Sequence, residues 1–147
     1  MKKLAMAIVM VLICVSVWAA DPDKIVYDLW RNAYYVVGYD GIAEGELVIP
    51  AEYNGKPVLG ISSQAFLEHK LTSLIISEGI TTISGQAFYG NQLTNVSFPD
   101  SLVSIGASAF INNNLTDVVF PRHVRYEKHP NWAVAAFDID VTVIYRD

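Results

Sequence analysis

The sequence predicts an α/β-type repeat solenoid, mostly short β-strands and turns, with about 22 residues per coil. Three observations predict it. Leu71-Thr72-Ser73-Leu74-Ile75-Ile76 returns as Leu93-Thr94-Asn95-Val96-Ser97-Phe98, and again as Leu115-Thr116-Asp117-Val118-Val119-Phe120. Ile61, Ile83 and Ile105 keep the same 22-residue step, as do Ala65-Phe66, Ala87-Phe88 and Ala109-Phe110. Within each unit the apolar residues alternate as in a strand, then stop at Ser77, Pro99 or Pro121. Agreement at this many positions in register marks units that bury their apolar faces only against copies of themselves.

From the N-terminus, residues 1–20 read as a secretory signal peptide. Lys2 and Lys3 precede an apolar run from Leu4 to Val17, and small residues Ala19 and Ala20 close it. The run falls short of the about 20 apolar residues that a membrane span needs. Cleavage is expected near Ala19 or Ala20. Cys14 then leaves with the signal, and no cysteine remains for disulfides or thiolate metal sites. Residues 21–43 read as an N-terminal cap. A short helix or strand is expected over 21–31, and a strand over Tyr34-Tyr35-Val36-Val37-Gly38-Tyr39.

Residues 44–121 hold the coils. In each, the first strand (Leu74/Ile76, Val96/Phe98, Val118/Phe120) is followed by a shorter extended piece, Ile80 to Ile83 or Leu102 to Ile105. Gly85 or Gly106 is expected to permit the next turn. Phe66, Phe88 and Phe110 are expected to stack as an internal column, as are Leu71, Leu93 and Leu115. Asn91, Asn113 and Asn114 suit the corner that returns the chain. The opening coil is longer, with a tight turn at Asn54-Gly55. Residues 122–147 read as a degenerate coil and cap. Ala136-Phe137 restores the Ala-Phe pair late, Val141 to Tyr145 forms a closing strand, and Trp132 plugs the end.

Without Lys2 and Lys3, eight basic residues face fifteen acidic ones, a net charge of −7. Such an acidic surface disfavours nucleic acid and anionic membranes as partners. No transmembrane segment is read in the mature chain.

These residues resemble the BspA-type leucine-rich repeat of bacterial surface proteins. Its unit, Leu-x-x-Val-x-Ile-Pro, then hydrophobic-x-x-Ile-Gly, then Ala-Phe, is similar to Leu93 through Phe110 nearly throughout. Leu71 through Phe88 follows it apart from Ser77. The resemblance covers residues 34–124 and implies a right-handed leucine-rich repeat solenoid. It further implies an exported or surface protein, adhesive in some members, with no shared catalytic residues.

Residues between the core positions should project outward in rows. Ser73, Asn95 and Asp117 form one; Ile75, Ser97 and Val119 form the next. This strand face is the candidate site for an unknown protein or glycan. Arg122, His123, Arg125 and Lys128 form a candidate basic patch, set against its plainer reading as a solvated cap face. His123, Glu127 and His129 have no common zinc spacing, so no metal and no cofactor is assigned. The aromatics Tyr34, Tyr35, Tyr39 and Tyr53, with Trp30 nearby, suit either sugar or protein contacts or a seal over the N-terminal end, and the seal is the preferred reading. No phosphate loop or activated nucleophile is found, and the expected function is non-catalytic binding. The alternative is a structural envelope component that self-associates through imperfectly capped sheet edges.

Overall fold

The computed structural model describes residues 19–126 and 135–147. A 3-10 turn, Pro22–Lys24, precedes β1 (Ile25–Trp30), β2 (Ala33–Tyr39), β3 (Glu44–Ile49), β4 (Glu52–Tyr53) and β5 (Lys56–Ile61). Then come β6 (Lys70–Ile76), β7 (Thr82–Ile83), β8 (Asn95–Ser97), β9 (Ser104–Ile105), β10 (Asp117–Pro121), β11 (Arg125–Tyr126) and β12 (Thr142–Arg146). The chain is a β-solenoid of about four turns with almost no helix. One wall is the parallel ladder β3-β6-β8, continued by the parallel pair β10-β12. The other is a seven-stranded sheet ordered β1-β2-β5-β7-β9-β11, with β4 hairpinned onto β5 through Asn54-Gly55. Both turn residues have positive φ, 49° and 72°, as that two-residue connection requires.

The internal columns hold the coils together. Phe66, Phe88 and Phe110 are buried and stacked, with centroids 5.2 and 5.3 Å apart. Phe137 continues the stack 5.3 Å beyond Phe110, so the late Ala-Phe pair occupies the equivalent place. Leu71, Leu93 and Leu115 form a second buried column. Each such side chain contributes on the order of 1.5–3 kcal/mol of burial.

The corners are built from hydrogen bonds repeated coil by coil. Asn91 Oδ1 accepts from the Leu71 amide at 3.1 Å, and its Nδ2 donates to the Phe66 carbonyl at 2.7 Å. Asn113 repeats both bonds one coil on, to the Leu93 amide and the Phe88 carbonyl. In the longer opening coil the same place is taken by His69. Its Nδ1 accepts from the buried Ala43 amide at 2.9 Å, and burial holds its pKa below the usual 6.5.

The expectation that Gly85 or Gly106 supplies the turn is corrected. Neither has positive φ; the left-handed residues are Gln64, Gln86 and Ser108, with φ between 57° and 61°. The glycines instead allow coils to approach. A Cβ on Gly106 would lie 2.6 Å from the Gly85 amide nitrogen.

Both ends are covered. At the first, Ala20 donates to the Glu46 carbonyl along the edge of β3 and is buried. Tyr27 stacks on Tyr53 at 4.0 Å with Tyr34 edge-on at 5.0 Å, and Tyr39 packs against Phe66. Burial, with smaller effects of Tyr53 and Asp23, pushes the Tyr27 phenol up to about 12. At the other end β12 pairs with β10, and Arg146 bonds the Asp100 carboxylate at 2.7 Å and the Phe98 carbonyl at 2.7 Å. Cys14, Lys2, Lys3, Glu127, His129 and Trp132 lie outside the described residues, so the readings placed on them are not addressed by the fold. Among the described residues no helix is long and apolar enough to cross a membrane.

Candidate binding faces

Strand alternation sends every second residue of the first wall outward. Ser73 pairs with Asn95 and Ile75 with Ser97; β3 extends both rows with Glu46 and Val48. Asp117 and Val119 sit on β10, which is laddered to β12 at Thr142 and Ile144 and not to β8. The six strand-face candidates are therefore divided between a three-stranded and a two-stranded sheet. Within the outer row Val48 (42% exposed), Ile75 (37%), Val119 (36%) and Ile144 (46%) stay accessible although apolar, and only Ser97 interrupts them. Ser73 also borders a shallow depression of about 350 Å³ with Glu46, Lys70 and Gln92.

The basic cluster is spread out. Arg122 pairs with Asp147 at 2.9 Å, an exposed contact worth at most about 1 kcal/mol, and lies over the Tyr145 ring. His123 is exposed in the same turn. Arg125 belongs to β11, on the opposite wall. Lys128 lies outside the described residues.

The sealing role read for the N-terminal aromatics holds for Tyr34, Tyr39 and Tyr53 but not for Trp30 and Tyr35. Alternation along β2 buries Val36 and turns Tyr35 and Val37 to the outer face. Trp30 is 56% exposed, its ring held by the Arg31 guanidinium 4.4 Å from its centroid. With Asp28, Val37 and Ser62, Trp30 and Tyr35 line a shallow, open cavity of about 370 Å³. A second cavity of about 270 Å³ follows on the same sheet, bounded by Thr82, Ser84, Ser104 and Arg125. Sequence reasoning weighed these aromatics as sugar or protein contacts but missed the face they share with the strands beyond. The further signal was the recurrence of hydroxyl and glycine residues after Ile61, Ile83 and Ile105.

The profile described as BspA type Leucine rich repeat region matches residues 59–131 in six copies, over the coils just described. The chain belongs to the BspA-type leucine-rich repeat family. This BspA-type chain is similar in fold to several solved leucine-rich repeat proteins. One from Bacteroides capillosus ATCC 29799 shares 23% identity with a TM-score of 0.66, over 86% of this chain and 98% of that one. The T. pallidum leucine-rich repeat protein shares 22% with a TM-score of 0.61, over 72% of this chain and 62% of that one. A leucine rich cell surface protein from Faecalibacterium prausnitzii A2-165 shares 20% with a TM-score of 0.55, over 86% of this chain and 42% of that one. This chain thus spans less than two thirds of the T. pallidum and F. prausnitzii proteins. No curated protein matches it.

Proposed function

We propose that this BspA-type protein is a non-catalytic binding module, exported and displayed at the cell surface or outside the cell, that engages a protein or glycan through an outward sheet face. The observation that carries the reading is the in-register outer row Val48–Ile75–Ser97, joined by Val119 and Ile144. These apolar residues are left accessible by a fold that buries its other apolar columns. A rigid, pre-organised sheet face of this kind binds at low ordering cost. Export is supported by the basic, then apolar, then small-residue order of residues 1–20. Among its structural neighbours is one named a cell surface protein.

The test is recovery of partners by the purified protein, compared with a variant carrying Ser73→Arg, Asn95→Arg and Asp117→Arg. Selective loss of a partner in the variant supports the face; unchanged recovery removes it. A second reading, a self-assembling envelope component, draws on the outer edge of β12, which among the described residues pairs only with β10 and where Ile144 and Tyr145 are exposed. Light scattering after size exclusion separates the two, since assembly requires a concentration-dependent oligomer without ligand.

A further inference from the structure

We propose that the outer face of the seven-stranded sheet is a groove for an extended oligosaccharide, with Trp30 and Tyr35 as its stacking platform and the Thr82–Ser104–Arg125 row as its hydrogen-bonding floor. The inference rests on the binding-module reading and names for it a ligand class and a second face.

The groove follows from register. Tyr35 pairs with Gly60, Gly60 with Thr82, Thr82 with Ser104, and Ser104 with Arg125. These five positions form one outward row across five parallel strands. With neighbouring strands about 4.8 Å apart, Tyr35 and Arg125 stand about 19 Å from each other. A second row, Ser62, Ser84 and Gly106, runs beside it, each amide donating to the coil before, as in Ser84 N–H to the Ile61 carbonyl at 2.9 Å. Small side chains keep the floor low. A Cβ on Gly60 would lie 3.0 Å from the Tyr35 ring, so the glycine is what lets that ring lie across β5.

The chemistry of the two cavities suits a sugar chain. The exposed Trp30 indole and the half-buried Tyr35 phenol offer ring surface for the C–H side of a pyranose, and Trp30 meets Tyr35 edge-on at 6.2 Å, making a corner with Asp28 beside it. A carboxylate at one end, hydroxyls along the floor and a guanidinium at the other supply the polar contacts that sugar hydroxyls need. The strand spacing is close to the advance of one unit in an extended oligosaccharide, so successive units meet equivalent positions. A peptide strand fits less well. It would bind by adding to a free sheet edge, whereas the backbone of β2, β5, β7 and β9 along the floor is already paired on both sides. The floor also lacks apolar pockets for side chains, since Ile83 and Ile105 point inward.

The test is retention of the purified protein on a printed array of defined hexasaccharides, neutral and uronate-bearing, with cellohexaose and hexagalacturonate then titrated in solution. Binding of at least one hexasaccharide is expected, weakened at least about tenfold by Trp30→Ala and by Tyr35→Ala. Ser104→Trp, which fills the second cavity from an outward position, should do the same with an unchanged urea midpoint. Retention of no hexasaccharide overturns the groove, as does sugar binding indifferent to all three substitutions. If binding is lost only in the Ser73→Arg, Asn95→Arg, Asp117→Arg variant, the groove is refuted while the binding-module reading stands. If neither sugar nor protein is bound and the chain oligomerises alone, both fail.

Discussion

Replacing His69 tests whether the corner hydrogen bonds are one repeated device. At Asn91 and Asn113 an amide side chain accepts from the backbone of the preceding coil, and at the opening coil an imidazole does so. Only an unprotonated Nδ1 can accept from Ala43. Since burial lowers the folded pKa of His69 below 6.5, the unfolded chain takes up the proton first as pH falls. The stability that His69 contributes is therefore fully present above about pH 6.5, and it drains away as pH falls through the lower folded value. Leaving the buried Ala43 amide without an acceptor costs about 1–3 kcal/mol. The ring is half-exposed and water can partly substitute, so His69→Ala should cost the lower half, about 1–2 kcal/mol, at pH 7.5. With a urea dependence of about 1–3 kcal/mol per molar, that moves the midpoint by about 0.3–2 M. His69→Asn should keep the bond and remove the titration. The assay is urea denaturation of wild type, His69→Asn and His69→Ala at pH 7.5 and pH 5. A His69→Asn protein with the same acid sensitivity as wild type would refute the reasoning, as would a wild type that gains stability on acidification.

Four further outcomes follow from the packing. Gly106→Ala forces a Cβ against the Gly85 backbone and should cost about 1–3 kcal/mol, read as a lower thermal midpoint, whereas Gly79→Ala, where space is open but φ is +98°, should cost only backbone strain of about 1 kcal/mol. Tyr27 should ionise near pH 12, so the stability tied to its neutral phenol is present below pH 10 and lost as pH rises towards 12; ultraviolet titration of Tyr27→Phe against wild type checks this. Arg146→Ala should change global stability by no more than about 1 kcal/mol, because the pair is exposed, yet raise amide exchange along β12 first. Phe88→Ala should cost about 3–5 kcal/mol in urea denaturation, since the ring is buried between Phe66 and Phe110.

What could be read from the residues was whatever the repeat writes in apolar letters. The Phe66–Phe88–Phe110 column and the strand alternation are periodic in chemistry, and stacking forces like over like. Phe137 was legible despite its irregular spacing because the Ala-Phe pair survived. His69 was not, because an imidazole stands where asparagine is repeated and the longer opening coil hides the correspondence. Gly85 and Gly106 were read as turn residues because glycine permits positive φ, but the left-handed places fell to Gln64, Gln86 and Ser108, and the glycines answer to close approach between coils. The outer face of the seven-stranded sheet went unseen for a related reason. Its floor of Gly60, Thr82, Ser84 and Ser104 looks like ordinary turn chemistry until the register lines it up. Trp30 lies outside the repeat, so no period could say which way it faces.

The central claim is that successive coils stack like residue on like residue. It is tested most directly by ring-to-ring nuclear Overhauser effects in protein labelled at phenylalanine. The account predicts an unbroken chain of contacts from Phe66 through Phe88 and Phe110 to Phe137, whose centroids lie 5.2 to 5.3 Å apart. A missing link between Phe66 and Phe88 or between Phe88 and Phe110, in a folded sample, would contradict it.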